Sequence, residues 1–179
     1  MIRALTQADR GAFRALRRIA LATDPEQFML TLTEENALPR LHVEAALDDP
    51  DEGNFVLGAF AGEALIGIAA LESGDLVKIR HVGRIASVFV HPAERRRGLG
   101  AGLMTALTER AAAGGRVVTL RLEVVADNQA AVALYRRLGF SIYGREPGAY
   151  RWQGRDWDIL CMARDLAVDS GRDGRSGEA

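Results

Sequence analysis

The sequence predicts an α/β protein in which a mixed sheet carries helices on both faces. Two patterns point to this class. Runs rich in β-branched and aromatic residues, among them Phe55 to Phe60, Ala64 to Leu71 and Ala86 to Val90, are bounded by glycine, proline or aspartate. Apolar residues at three- and four-residue spacing follow Gly98 and Asn128, each set between two strand-like runs. The resulting order is a strand, two helices, three strands, a helix, a strand, a helix and two strands, which suits helices layered on a central sheet.

In order, Ile2 to Leu5 reads as a short strand, and Thr6 with Asp9 three residues on can cap a helix with an apolar face of Phe13, Leu16, Ile19 and Ala20. Asp24-Pro25 ends it. The stretch from Thr23 to Arg40 has a mixed pattern, and Leu41 to Leu47 reads as a second short helix before Asp48-Asp49-Pro50. Phe55 to Phe60 and Ala64 to Leu71 flank Ala61-Gly62-Glu63 as a hairpin. Lys78 to Val90 resumes strand, with an interruption expected near Val82-Gly83. Gly114-Gly115 closes the helix begun at Gly98, and Arg116 to Val125 is strand, with Leu120, Leu122 and Val124 on one side and Arg121, Glu123 and Val125 on the other. Asp127 or Asn128 caps the last helix, whose apolar side holds Ala131, Leu134 and Leu138. Closing strands at Ile142 to Tyr143 and Asp156 to Met162 flank a loop bearing Pro147, Gly148, Tyr150, Trp152 and Gly154.

The 179 residues have room for a real core, and one domain is expected over 1–166. Residues 167–179 offer little to bury and are expected to be disordered. With 23 basic and 24 acidic residues the formal charge is -1, which argues against a nucleic-acid partner. The single Cys161 excludes an internal disulfide and fits a reducing compartment. No charged-then-apolar leader and no apolar run of bilayer length is present, so the expectation is a cytoplasmic protein with no membrane partner. Oligomeric state stays open between monomer and homodimer. His42, His81 and His91 lack metal-ligand spacing, so no metal is expected.

The most informative stretch runs from Ala86 to Gly102, where a strand stops at His91-Pro92 and a helix starts at Gly98. Between them lie Arg95, Arg96, Arg97, Gly98, Leu99, Gly100 and Ala101. A helix opening presents unpaired N–H groups and the positive end of the helix dipole, and glycine lets an anion approach the backbone. The turn is either a phosphate cradle or a cationic cap on a surface helix. It is no dinucleotide fingerprint, because Leu103 stands where the third glycine would be, and no Gly-Lys-Ser/Thr follows.

The spacing Arg95-x-x-Gly98-x-Gly100 after a strand ending Val-x-Pro, together with N-Q-A-A-V-A-L-Y-R-R-L-G-F from Asn128 to Phe140, resembles the signatures of the GCN5-related N-acetyltransferase (GNAT) superfamily. The similarity covers roughly Phe55 to Arg164, and Glu123 to Phe140 looks closest to the ribosomal-protein-alanine N-acetyltransferase branch. The resemblance implies a mostly antiparallel mixed sheet with splayed central strands, and acetyl-CoA as co-substrate. By the same resemblance the pyrophosphate belongs at Arg95 to Ala101, the pantetheine beside the backbone of Val88, Phe89 and Val90, and Asn128 bonds the pantetheine or stabilises its turn. Glu123 is implied as the base that takes a proton from an amine acceptor, and Tyr135 as the donor to the departing thiolate; Glu72 and Asp75 are reserve bases. The acceptor is a small-molecule amine or a protein N-terminus or lysine, and the connection between the first two helices borders its pocket.

Each residue also has a plainer reading. Glu123 can be an ion-pair partner of Arg121, Tyr135 an amphipathic core residue, Asn128 a simple N-cap and Cys161 a small core residue. Tyr143, Tyr150, Trp152 and Trp157 can line an acceptor pocket or pack the closing strands. A non-catalytic acyl-CoA sensor or interaction module on the same fold would keep Arg95 to Gly100 and need neither Glu123 nor Tyr135.

Overall fold

The computed structural model describes residues 1–166; the stretch 167–179, expected to be disordered, lies outside the described residues. The strands are β1 (Ile2–Ala4), β2 (Phe55–Ala61), β3 (Ala64–Ser73), β4 (Val82–Val90), β5 (Thr119–Val125), β6 (Ser141–Trp152) and β7 (Arg155–Asp165). They form one sheet in the order β1-β2-β3-β4-β5-β7-β6. Only β4 and β5 run parallel, because the 16-residue helix α4 (Leu99–Gly114) carries the chain back between them; the other neighbours pair antiparallel. The remaining helices are α1 (Arg10–Thr23), α2 (Leu32–Ala37), α3 (Ala45–Asp48) and α5 (Gln129–Arg137).

Strand alternation divides the core in two. Leu57, Leu71, Ile85, Leu120 and Leu122 pack with Leu103 and Leu107 of α4 and with Val132 and Tyr135 of α5. Val56, Ile68, Ala70 and Phe89 pack with Phe13, Leu16 and Ala20 of α1 and Leu47 of α3. Strands β2 and β3 are therefore apolar on both faces, as the near-continuous hydrophobic runs in their sequences anticipate. No helix among the described residues is long and apolar enough to cross a membrane.

Four details differ from the sequence reading. The buried stripe of α1 is Phe13, Leu16, Arg17, Ala20 and Leu21, while Ile19 is 36% exposed; helical spacing places the charged Arg17 inside the apolar stripe. Thr31 and Glu34 form a capping box that nucleates α2 within the mixed stretch. Residues 78–81 form a turn, with Ile79 N–H donating to Leu76 O at 2.9 Å, so β4 begins at Val82 and its irregularity lies farther on, at Ser87 (φ +54°). The expected loop around Pro147 is part of a long β6–β7 hairpin, whose register shifts between Ile142 and Gly144 and between Glu146 and Tyr150 absorb the proline and glycine.

The entry to α1 is fixed as expected from Thr6 and Asp9. Thr6 N–H donates to Asp9 Oδ2 at 2.9 Å, and the Arg3 guanidinium grips both carboxylate oxygens at 2.8 and 2.7 Å. The Arg3 hydrogen bonds draw the Asp9 carboxyl down to about 2. A depressed acid stabilises the fold above its unfolded value near 3.8 and loses that contribution as pH falls toward about 2. We predict that Asp9→Asn lowers unfolding stability at neutral pH by roughly 0.5–1 kcal/mol, discounted for the exposed Arg3. Urea unfolding at stepped pH should show the gap closing between about pH 4 and pH 2.

Candidate active site

β4 and β5 pair from Val82 opposite Thr119 to Ile85 opposite Leu122 and then part. Beyond that point β4 continues to Val90 and β5 to Val125 with no bond between them. Ser87 lies two residues past the last pair: its left-handed backbone falls within a register shift against β3, a bulge that bends the strand. The opening at the carboxyl ends of the two strands is a cleft of about 970 Å³, walled by residues 85–90 of β4, 122–125 of β5, and the starts of α4 and α5.

At the α4 wall, Gly98 is the N-cap in the left-handed region (φ +77°), and no other atom lies within 4 Å of where its Cβ would stand. Among the described residues, the backbone N–H groups of 96–101 find no acceptor; the first helical bond is Gly102 N–H to Gly98 O at 2.9 Å. A Cβ on Gly100 would meet Leu134 Cδ2 at 3.5 Å, an ordinary contact, so that position has room for alanine. The three arginines have separate surroundings. Arg95 donates from Nε to Val90 O at 3.0 Å, pairs with Asp24 and lies 5.4 Å over the Phe89 ring, bracing the strand end. Arg96, itself at φ +64°, is exposed on the cleft rim. Arg97 pairs with Glu94 at 2.6 Å and is the one member of the expected set that does not line the cleft.

Glu123 lines the cleft with its side chain 46% exposed, and its partner is Arg84 Nη1 at 3.5 Å rather than Arg121. Arg84 stands opposite Arg121 in the β4–β5 register, and its long side chain reaches diagonally to Glu123, just past the last paired residues. Arg121 instead lies 5.6 Å over the Tyr143 ring. Tyr135 is buried against Phe140, edge-on with ring centroids 6.1 Å apart, and burial pushes its phenol up to about 12. Its hydroxyl makes no hydrogen bond among the described residues. Asn128 caps α5, its Oδ1 accepting from Ala131 N–H at 3.0 Å, and its Nδ2 donates to Gln27 Oε1 at 2.7 Å. Val88, Phe89, Val90, Leu99 and Ala101 also line the same cleft.

The reserve carboxylates stand apart from this opening. Glu72 meets His42 Nδ1 at 3.2 Å, outside the cleft lining, and Asp75 meets Arg116 at 3.2 Å in a separate polar hollow. None of Tyr143, Tyr150, Trp152 or Trp157 lines the cleft. Cys161 is partly buried in β7, directly across the ladder from Glu123.

Asp24, Gln27 and Phe28, in the connection that the resemblance places beside the acceptor pocket, line the cleft through contacts that local pattern does not reveal. Asp24 pairs with Arg95, Gln27 receives Asn128, the Tyr150 hydroxyl donates to Glu26 O, and Phe28 packs 6.4 Å from Phe89. Asp24-Pro25 reads locally as a helix end, and its partners lie many residues away. Ser87 was equally silent, one polar residue in a β-rich run.

A family model described as the acetyltransferase (GNAT) family matches residues 13–140. The chain is 40% identical over 80 residues to the L-methionine sulfoximine/L-methionine sulfone acetyltransferase of Pseudomonas aeruginosa, covering 45% of this chain and 46% of that protein, so it spans about half the length of that relative. The crystal structure of ribosomal-protein-alanine N-acetyltransferase from Brucella melitensis superposes with a TM-score of 0.75 at 27% identity, over 93% of this chain and 99% of that one. The Salmonella typhimurium protein yncA, solved with its cofactor acetyl-CoA, shares the fold with a TM-score of 0.78 at 22% identity, over 97% and 98% of the two chains. The family match runs from inside α1 past the end of α5, taking in both sequence signatures and the cleft between them: the chain belongs to the acetyltransferase (GNAT) family.

Proposed function

We propose that this chain is an N-acetyltransferase that moves the acetyl group of acetyl-CoA directly onto a primary amine within a ternary complex. The observation that carries the reading is the row of unpartnered amides at 96–101 opening onto the same cleft as the unpaired end of β4. A diphosphate suits those amides, which carry the positive end of the α4 dipole, and Gly98 leaves its approach clear. The strand edge at Val88–Val90 offers the extended arm of the co-substrate main-chain hydrogen bonds, as an added strand would have. A β4 amide beside the thioester carbonyl would meet negative charge that develops as the amine attacks.

In the reaction, the amine nitrogen bonds to the thioester carbon, the carbon–sulfur bond breaks and the sulfur leaves with its electron pair. Glu123 is the candidate to take the amine proton, directly or through water. The names of two of the similar proteins, the L-methionine sulfoximine/L-methionine sulfone acetyltransferase and the ribosomal-protein-alanine N-acetyltransferase, point to an amino-acid derivative and to a protein alanine. Both carry an α-amino group, so an α-amine is the acceptor class we assign. Such an amine has a pKa near 7.7–8.0, against about 10.4 for lysine, so a larger share of it is already neutral near pH 7 and less proton removal is needed before attack. Tyr135 serves as a hydrogen-bond donor to the leaving sulfur. With its phenol near 12, release of the proton to a thiolate whose acid lies near 8.5 runs uphill, and hydrogen bonding is its contribution. The lone Cys161 fits a cytoplasmic site of action.

Two variants test this reading. Gly98→Val places a branched side chain at φ +77° and into the amide cradle, and should weaken acetyl-CoA binding by about 10²-fold or more in calorimetry. Retained affinity would refute the cradle. Glu123→Gln should lower kcat by about 10²-fold toward an amino-acid or peptide α-amine with acetyl-CoA affinity unchanged, and the deficit should narrow above the acceptor's pKa. Equal turnover at every pH removes Glu123 as base. Binding of acetyl-CoA with no thiol released against any amine in a wide panel would favour the sensor.

A further inference from the structure

Arg17 faces the sheet from α1 and is 7% exposed; its partner Glu35, on α2, is 1% exposed. Arg17 Nε donates to Glu35 Oε1 at 3.3 Å, and Nη2 donates to Oε2. The remaining arm reaches past α1 to the sheet, where Nη1 donates to Ser87 Oγ at 3.2 Å, while the guanidinium covers the Phe28 ring at 5.2 Å. A buried ion pair is often no more stabilising than the apolar pair that would fill the same space. Stability therefore does not account for placing a charged pair here, in a stripe otherwise filled by Phe13, Leu16, Ala20 and Leu21.

Its target does. Ser87 sits at φ +54°, a conformation few non-glycine residues adopt, two residues past the last β4–β5 pair and within the register slip on β3. Such a residue holds its shape only when its surroundings over-determine it. We infer that Arg17, held by Glu35, is a positioning residue for acetyl transfer: through the Ser87 hydroxyl it fixes the bulge that sets the backbone of Val88, Phe89 and Val90 along the cleft. The inference rests on the acetyl-transfer reading for its consequence in turnover, but the fixing of the bulge can be measured separately.

The test replaces the pair as a pair, Arg17→Met with Glu35→Leu, so that no charge is left buried alone, and compares it with Ser87→Ala and with the triple variant in the full chain. Amide hydrogen exchange should quicken in the peptide covering 85–90 in all three, while α4 peptides keep their protection. Turnover should fall by on the order of tenfold in kcat, with the KM for acetyl-CoA within about threefold, and the triple variant should be no slower than either parent, since both changes break one contact. Unchanged exchange at 85–90 in a folded pair variant overturns the inference whatever turnover does. So do losses that multiply in the triple variant. Failure of the wild-type chain to acetylate any amine counts against the acetyl-transfer reading, and the exchange comparison still decides whether Arg17 holds the bulge.

Discussion

The structure depends on two parallel strands that begin as partners and do not finish as partners. Up to Ile85 and Leu122 the ladder between β4 and β5 is regular; beyond it the bulge at Ser87 turns β4 away. A backbone edge inside a folded protein needs hydrogen-bond partners, and a strand edge freed in this way is a template for an extended ligand. The α4 helix starts just beyond the end of β4, so the freed edge and the unpaired amides of the helix opening border one cleft. The unpaired amides and the freed strand edge thus share one opening, which a single departure from regular sheet geometry creates.

The two cores divide the support of that opening. On one face, α4 and α5 pack over β1–β5 and β7 through aliphatic side chains, which fixes where α4 begins and where Tyr135 enters the cleft wall. On the other, α1 and α3 cover β2–β4, and the Arg121–Glu123 side of β5 is left exposed next to Arg84. Charge pairs are concentrated where α1 meets the 24–48 segment, with Arg14 on Glu44 and Arg17 on Glu35, so these elements are joined by directional contacts. Directional contacts hold geometry within tighter limits than aliphatic packing does, and acyl transfer is sensitive to shifts well under 1 Å.

What could be read from the sequence was local. The α4 opening declares itself because proline, arginines and glycines fall within a few residues of one another, and each acts on its own stretch of backbone. Asn128 as a cap and Gly98 as a helix start were legible for the same reason, and the structure has both. The features that escaped are pairings across long sequence distances. Glu123 took Arg84 from the next strand instead of Arg121 from its own, and Arg17, a polar residue by local pattern, is buried because Glu35 and Ser87 await it. The β6–β7 hairpin ran through Pro147 and Gly148 because bulges admit residues that strand patterns exclude. The residues named by the family resemblance, apart from Arg97 and the reserve carboxylates, line one cleft, but the resemblance held no hint of the contacts from Asp24 and Gln27 to Arg95 and Asn128.

The account stands on diphosphate recognition by main-chain amides at the start of α4. Titrating the isotope-labelled protein with desulfo-CoA and following backbone amide resonances measures this directly. The prediction is that the largest shifts fall within 96–101, with a second group at 88–90 and little change around Arg116. Saturable binding that moves other resonances and leaves 96–101 in place would contradict it.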